Sequence, residues 1–168
     1  MANAAVKMVQ RHQRLAFMNT GTAEAPEFTR MTKFTSMTNN KNPKEYARQY
    51  VDRPSEDTDV VGYSPTIDYS FDRHTSTLVH DRIAAIHDGE LTGSEALVEI
   101  LIVDLFTAAD GGAFEARKRT YAVIPSADGD GTDALVYSGS LKSKSEIVVG
   151  TATLSDNEQT ATFTEKKA

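Results

Sequence analysis

The chain of 168 residues is long enough to form one domain with its own core, and 39% of its residues are hydrophobic. It contains no cysteine, which excludes disulfides, thiolate metal sites and cysteine nucleophiles. The 24 acidic residues outnumber the 18 basic ones and give a net charge of −6, whereas proteins that hold nucleic acid by its phosphates are usually basic. The longest apolar run, residues 100–103, is far too short to cross a membrane. The first residues also lack the apolar segment of a signal peptide, so neither a membrane anchor nor a signal peptide is expected.

Residues 1–27 are predicted to form an N-terminal arm, ahead of a single β domain over residues 28–168. Apolar residues recur in this arm with a weak helical period, and Gly21 is placed to end such a helix. The apolar residues are Val6, Met8, Val9, Leu15, Phe17 and Met18. A partly disordered terminus is the alternative interpretation of the same segment.

Three strands are predicted in the next part of the chain. The threonine-rich stretch 28–38 favours the first, and the NNKNP sequence after it is typical of a turn. The second strand covers residues 44–51. The third covers residues 60–73 and alternates between apolar and polar side chains, which indicates a strand with one wet face. Its apolar face carries Val61, Tyr63, Ile67, Tyr69 and Phe71. Pro65 cannot donate a ladder hydrogen bond and so marks an edge, a bulge or a bend.

The sequence HTSTLVHDRIAAIHDGEL predicts one helix. Thr75 or Ser76 is expected to cap its start, and Gly89 to end it. Three apolar residues recur along one side: Leu78, Ile83 and Ile86.

The rest of the chain again favours strands. Residues 96–106 are apolar on both faces, as in a central strand that is covered on both sides. A loop, a strand over residues 117–125 and a second polar turn follow, before a closing meander of strands over residues 135–141, 147–154 and 160–165. The predicted fold class is mainly β, a sandwich or barrel of about seven strands with one flanking helix.

No common catalytic or nucleotide-binding motif is present, so no cofactor or enzymatic activity is expected. Four histidines occur, at positions 12, 74, 80 and 87. His80 and His87 lie seven residues apart on the helix, whereas metal-binding pairs lie four apart, which favours packing or surface roles. The acidic stretch DGDGTD, residues 128–133, is a candidate calcium loop, but DG pairs are also ordinary turn formers.

Two further charged features invite a functional interpretation. Arg117, Lys118 and Arg119 form a basic run, interpreted as a solvated strand or as a salt-bridge surface between subunits. Glu99 and Asp104 fall within the apolar central strand, where buried acids must be paired or protonated. Their opposite parity should send them to opposite faces, which argues against a catalytic carboxylate pair.

Residues 34–75 carry a family resemblance. This stretch, FTSMTNNKNPKEYARQYVDRPSEDTDVVGYSPTIDYSFDRHT, resembles the tail tube proteins of long-tailed phages and phage-tail-like particles from Gram-positive bacteria. The resemblance extends over about residues 11–165 and is most specific in NPKEYARQYVD and TDVVGYSPTIDYSFD. It implies a β-sandwich with a flanking helix, and hexameric rings that stack into a hollow tube. Such a tube is a conduit for DNA, or a penetrating needle, in a virion tail assembled in the host bacterial cytoplasm.

The resemblance also implies roles for two sets of residues. The polar loop between the second and third strands should contact the next ring: Asp52, Arg53, Pro54, Ser55, Glu56, Asp57, Thr58 and Asp59. The wet face of the third strand should line the lumen: Thr66, Asp68, Ser70 and Asp72. Rings would repeat the two aspartates as negative bands, past which DNA slides without specific binding. The alternatives are an ordinary exposed loop and an outer surface.

The implied partners are further copies of the chain and other tail proteins, namely the baseplate, the terminator, and a sheath or tape measure. Contractile and flexible tails, and infectious phages and DNA-free particles, are equally compatible with the resemblance. A monomeric carbohydrate-binding β-sandwich is the main alternative function, although the chain has no tryptophan to stack on a sugar and would have to use its six tyrosines. A related baseplate or tail-terminator ring protein is another.

Overall fold

The computed structural model describes residues 5–129 and 132–167 of the chain. Within these residues the chain forms eleven strands and one α-helix. The strands are β1 (Arg14–Asn19), β2 (Phe28–Arg30), β3 (Phe34–Asn40), β4 (Pro43–Gln49), β5 (Glu56–Tyr63), β6 (Thr66–Asp72), β7 (Leu97–Ala108), β8 (Phe114–Asp128), β9 (Val136–Ser143), β10 (Val148–Leu154) and β11 (Thr160–Glu165). The helix, α1, covers Leu78–Asp88. The mainly β class with one helix is confirmed, but the expected number of about seven strands is wrong.

Nine of the strands form one antiparallel sheet in the order β10-β11-β2-β1-β7-β8-β9-β6-β3. The first residues of β8 also pair with β10, so β1, β2, β11, β10, β8 and β7 form a closed circuit of hydrogen-bonded neighbours. The far half of β8 carries β9, β6 and β3 onwards as an open extension. β4 and β5 pair only with each other, as a separate two-stranded sheet.

β7 lies at the centre of the nine-stranded sheet and contributes to two cores, as its apolar sequence predicted. Val98 and Ile100 belong to the larger core, which α1 covers together with side chains of β6, β8 and β9. Leu101 and Val103 belong to a smaller core, which the strands of the closed circuit build. Alternate residues of one strand therefore hold two layers together.

The predicted N-terminal arm is wrong from Arg14 onwards, because β1 is an interior strand between β2 and β7. Leu15 and Phe17 enter the smaller core, whereas Ala16 and Met18 contact the larger one. A strand covered on both faces has apolar residues at consecutive positions, and such a run also matches a weak helical period. Residues 5–10 are exposed, and residues 1–4 lie outside the described residues.

Two of the predicted strands are each divided by a break. The stretch 28–38 becomes β2 and β3, separated at residues 31–33, where Lys33 has a φ of 64°. The stretch 60–73 becomes the end of β5 and all of β6, separated at Ser64 and Pro65. The break at Pro65 fits the inability of proline to donate to a ladder.

Helix α1 begins and packs slightly differently from its prediction. Thr77, rather than Thr75 or Ser76, is the N-cap residue, and its side chain makes no capping hydrogen bond. Gly89 ends the helix as predicted. Leu78 is 55% exposed, whereas Val79 is buried with Ile83 and Ile86. Positions 79, 83 and 86 have the i, i+4, i+7 spacing of one helix face, which position 78 does not share.

Both helix histidines face the larger core and hold neighbouring segments by hydrogen bonds. His80 Nδ1 accepts a hydrogen bond from the backbone N–H of His74 at 3.0 Å, and Nε2 lies 2.8 Å from the carbonyl oxygen of Thr32. This arrangement requires the neutral ring with its proton on Nε2. Burial accordingly lowers the pKa of His80, although the hydrogen bond to Thr32 opposes that shift. His87 Nε2 lies 2.6 Å from the hydroxyl oxygen of Tyr69, and burial lowers the pKa of His87 as well.

Replacing His80 with alanine should destabilise the fold by about 2–4 kcal/mol, because it opens a cavity and leaves two backbone groups without partners. Urea unfolding followed by circular dichroism measures the change. Leu78→Ala, on the exposed side of the same helix, is the matched control and should cost less than about 1 kcal/mol. Equal losses in the two variants would show that His80 does not hold these segments together.

Candidate assembly surfaces

A polar surface, here called the wet face, extends over β3, β6 and β9. On β6 the buried residues Ile67, Tyr69 and Phe71 alternate with Thr66, Asp68, Ser70 and Asp72. The neighbouring strands continue the polar side: Ser36, Thr38 and Asn40 on β3, and Ser138, Ser140 and Lys142 on β9. Asp68 lies at its centre and accepts hydrogen bonds from Asn40 Nδ2 at 2.8 Å and from Ser140 Oγ at 2.9 Å. Three strands therefore present hydroxyl, amide and charged groups while their other sides build the larger core.

The alternation expected for residues 66–72 is thus present in the structure. Tyr69 is so deeply enclosed that burial raises the pKa of its phenol above the ordinary value. A slip of one residue along β6 would bring such side chains to the surface, so the core fixes which residues face water. The lumen-facing role of Thr66, Asp68, Ser70 and Asp72 remains a prediction.

The second surface is the β4–β5 hairpin, which projects from the domain. Its base is held by Asn42, whose side-chain amide donates to Ser64 O at 3.1 Å and to Thr66 Oγ1 at 3.3 Å. Asn42 has a φ of 45°, a left-handed conformation that asparagine tolerates better than most residues. The tip is held by Arg53, which makes two hydrogen bonds to the carboxylate of Asp57 at 2.9 and 2.8 Å.

The hairpin buries almost none of its own apolar side chains. Every residue of β4 is exposed, as are six of the eight residues of β5. Six large apolar or aromatic side chains on it are at least 45% exposed: Tyr46, Tyr50, Val51, Val60, Val61 and Tyr63. A two-stranded sheet alone is marginally stable in water, and large apolar side chains exposed on both faces of one element are typical of a surface that another chain covers.

The predicted inter-ring loop is partly wrong in extent. Asp52, Arg53, Pro54 and Ser55 lie in the connection, but Glu56, Asp57, Thr58 and Asp59 belong to β5 and pair with β4. Strand pairing continues here because only backbone groups are needed for it, so charged side chains remain in water on both sides. Contact with the next ring remains a prediction for all eight residues. The apolar face predicted for residues 60–73 is wrong at Val61 and Tyr63, which lie on β5 and are 57% and 62% exposed, because the break at Pro65 separates β5 from the strand that enters the core.

A third feature, here called the basic pocket, comprises Arg14, Lys41, Arg117 and Arg119. These residues come from β1, the β3–β4 turn and β8, and they surround a cavity of about 80 Å³. Ala16, Ile67, Ile102 and Tyr121 are among the residues that line its floor. The four residues are far apart in sequence, so no local pattern reveals the pocket, and only Arg117 and Arg119 belonged to a predicted feature.

Among the described residues, Asp104 is the carboxylate that pairs with arginines of this pocket, and it is 3% exposed. Its oxygens lie 2.7 Å from Arg14 Nε and 2.9 Å from Arg117 Nη1. Burial alone would raise the pKa of Asp104, but the hydrogen bonds from the two arginines outweigh it and lower the pKa. Glu99 has a different partner, Asn19 Nδ2 at 3.1 Å, so the two acids of β7 form no catalytic pair.

The remaining sequence predictions concern the basic run at residues 117–119, a metal site and a membrane span. Lys118 lies 5.3 Å from the ring of Phe163, away from the Arg117–Asp104 pair, so the predicted alternation of the basic run is confirmed. Among residues 5–129 and 132–167, no group of three or more histidine or acidic side chains could hold a metal ion. The candidate calcium stretch includes residues 130 and 131, which lie outside the described residues. No helix in the described part of the chain is long and apolar enough to cross a membrane.

No protein-family model and no curated protein matches the chain. Among solved structures, the chain is similar to one in the six-fold symmetrised cryo-EM structure of the anti-feeding prophage baseplate, with a TM-score of 0.47. The two sequences are 8% identical, and the match covers 89% of this chain and 97% of that chain.

Replacing Asp104 with asparagine should destabilise the fold by about 1–3 kcal/mol at neutral pH, because it leaves two arginines without their carboxylate. The folded-state pKa of Asp104 is lowered, so its contribution is complete above the ordinary value of 3.8 and is lost as the pH falls through the folded-state pKa. The stability difference between wild type and Asp104→Asn should therefore shrink in acid. Chemical unfolding from pH 7 to pH 2.5 measures it, with the exposed Asp110→Asn as control. A difference that stays constant in acid would contradict this account.

Proposed function

We propose that the chain is a structural protein of a phage tail or phage-tail-like particle, forming hexameric rings that stack into the hollow tail tube. The observation that carries the proposal is the β4–β5 hairpin, which exposes six large apolar or aromatic side chains and pairs with no other strand. The sequence of this hairpin and of β6 is also where the resemblance to tail tube proteins is most specific. The proposed role is structural, without catalysis or a cofactor.

The hairpin supports self-assembly on energetic grounds. Burying a valine or a similar side chain contributes about 1.5–3 kcal/mol, so covering even part of this cluster adds several kcal/mol to an interface. The hairpin base is tied to the domain at Asn42, so the partner meets an element that is already oriented. We assign the strands of the hairpin to contacts between protomers, and the tip (residues 50–56) to contacts with the next ring.

The wet face supports the proposal that β3, β6 and β9 line the lumen of the tube. A tube wall needs one side in contact with water and one side in contact with the protomer's core, and β3, β6 and β9 meet that requirement. Ring symmetry would repeat Asp68 and Asp72 in every protomer. Bands of negative charge repel phosphates, so DNA would pass through the bore without being held by counterion release.

The proposed partners are further copies of this chain together with other tail proteins, such as the baseplate, the terminator and the sheath or tape measure. The proposed location is the tail of the virion, after assembly in the bacterial cytoplasm.

Negative-stain electron microscopy and sedimentation of the purified chain over a range of concentrations test the proposal directly. Rings with six-fold symmetry that stack into tubes are expected. Rings that never stack would instead favour a baseplate or terminator ring protein. A strictly monomeric protein at all concentrations would contradict the proposal and favour a ligand-binding β-sandwich module.

Replacing Val60 and Val61 with aspartate should lower the assembled fraction at least about 10-fold, because the interface would have to bury two unpaired charges. Sedimentation measures the assembled fraction, and thermal unfolding measures protomer stability. Both valines are exposed, so the melting temperature should change by no more than a few degrees. Leu78→Asp, at an exposed apolar position on α1, is the control and should assemble normally. Normal assembly of the valine variant would show that the hairpin is not part of the interface.

Replacing Asp68 and Asp72 with lysine should convert the bore from repelling nucleic acid to binding it. The variant should still form tubes and should retain a single-stranded oligonucleotide at low salt, measured by co-sedimentation. Glu95→Lys with Asp110→Lys makes the same change in charge at exposed positions outside the wet face. Equal retention by both variants, or ready labelling of residues 68 and 72 on the outside of assembled tubes, would show that β6 does not line the lumen.

A further inference from the structure

The basic pocket carries more positive charge than its surroundings balance. Asp104 is its one carboxylate among the described residues, and both oxygens are already engaged by Arg14 and Arg117. Burial lowers the pKa of Lys41, and the charges of Arg117, Arg119 and Arg14 lower it further. Arg11 and Lys118 also line the cavity, so six basic residues surround it in a chain with a net charge of −6, and the site is an exception to the overall charge.

The pocket also contains a hydrogen-bond donor that is not satisfied. The Nε atom of Arg119 is buried and has no hydrogen-bond partner. A buried donor without a partner costs about 1–3 kcal/mol, so such groups are rare unless something else binds them. The donor atom itself has almost no contact with solvent, so the excess of positive charge around the cavity is what favours an oxyanion as the bound group.

The size of the pocket limits what this oxyanion can be. A volume of about 80 Å³ admits one carboxylate-sized group but not a nucleotide. The tip of the hairpin is a source of carboxylates on the same chain. Arg53 pairs with Asp57, whereas Asp52 and Glu56 have no ion pair among the described residues.

The tip of the same chain's hairpin cannot reach the pocket. Lys41 lies two residues before the start of β4, so the pocket is beside the base of its own hairpin. Seven residues of β4 separate the base from the tip, which is about 23 Å at 3.3 Å per residue. A carboxylate from a tip must therefore come from a second copy.

We propose that the basic pocket of one protomer binds an acidic side chain, Asp52 or Glu56, at the hairpin tip of another. The inference rests on the proposed self-assembly and names the surface that receives the tip. Such a contact joins two different surfaces of one chain, so it is repeated head to tail and produces a closed ring or a continuing filament. Binding would bring the cations of Lys41 and Arg119 next to a carboxylate.

A charge swap in the full chain tests the pairing. Lys41→Glu with Arg119→Glu should reduce the assembled fraction at least about 10-fold, and so should Asp52→Lys with Glu56→Lys. Combining all four changes in one chain should restore assembly to within about three-fold of wild type. Thermal unfolding verifies that each protomer is folded, and Lys41→Gln with Arg119→Gln serves as a milder pocket variant. Normal assembly of the pocket variants, or folded protomers without any rescue in the combined variant, would overturn the proposal.

Cysteine cross-linking tests proximity independently of tube formation, because the natural chain has no cysteine. Asn39→Cys, at the pocket, and Ser55→Cys, at the tip, should form a mixed disulfide dimer when the two variants are combined, and much less of either homodimer. Cross-linking without rings would contradict the proposed tube but support this contact. Tubes without cross-linking would support the tube but contradict this contact. Assembly that requires added inorganic phosphate, or an oligonucleotide that binds dispersed wild type but not the Gln variant, would also overturn the pairing with the tip.

Discussion

The β4–β5 hairpin is a two-stranded sheet without an interior of its own, so it cannot bury its own apolar side chains. The proposed assembly of the molecule depends on this constraint. A sheet of two strands offers side chains to water on both faces, so apolar residues on it remain exposed unless another surface covers them. In this hairpin six large apolar or aromatic side chains remain exposed. The nine-stranded sheet, by contrast, buries apolar residues in two cores. The nine-stranded sheet therefore has a packed core, whereas the apolar side chains of the hairpin have no packing partner within the protomer.

The rest of the fold serves as a rigid base for this incomplete element. β6 follows β5 after the two-residue break at Ser64 and Pro65, and its side chains Ile67, Tyr69 and Phe71 lie in the larger core. The orientation of the hairpin is therefore set by packing around α1, with His80 and His87 holding that helix against the strands. The same packing fixes the wet face of β6, so two of the proposed assembly surfaces depend on a single core.

The sequence predicted the features that depend on local pattern. The alternation in β6, the double burial of β7 and the charged connection at residues 52–55 are all encoded within a few consecutive residues. β1 was missed because a strand buried on both faces has no alternation to detect, and Leu15 to Met18 match a short helical period equally well. The basic pocket was missed because Arg14, Lys41 and Arg119 meet only through strand pairing over long sequence distances. The boundary of β5 was missed because charged residues pair through their backbones as readily as apolar ones.

Amide hydrogen exchange on the hairpin tests the central claim most directly, namely that another copy of the chain completes it. In the dilute protomer, the amides of residues 44–49 and Glu56–Tyr63 should exchange much faster than those of β7, because the hairpin has no core of its own. After assembly, the hairpin amides should exchange at least about 100-fold more slowly, because the hairpin can then open only when the interface does. Hairpin amides that are as strongly protected as those of β7 in the dilute protomer, or that exchange no more slowly after assembly, would contradict the account.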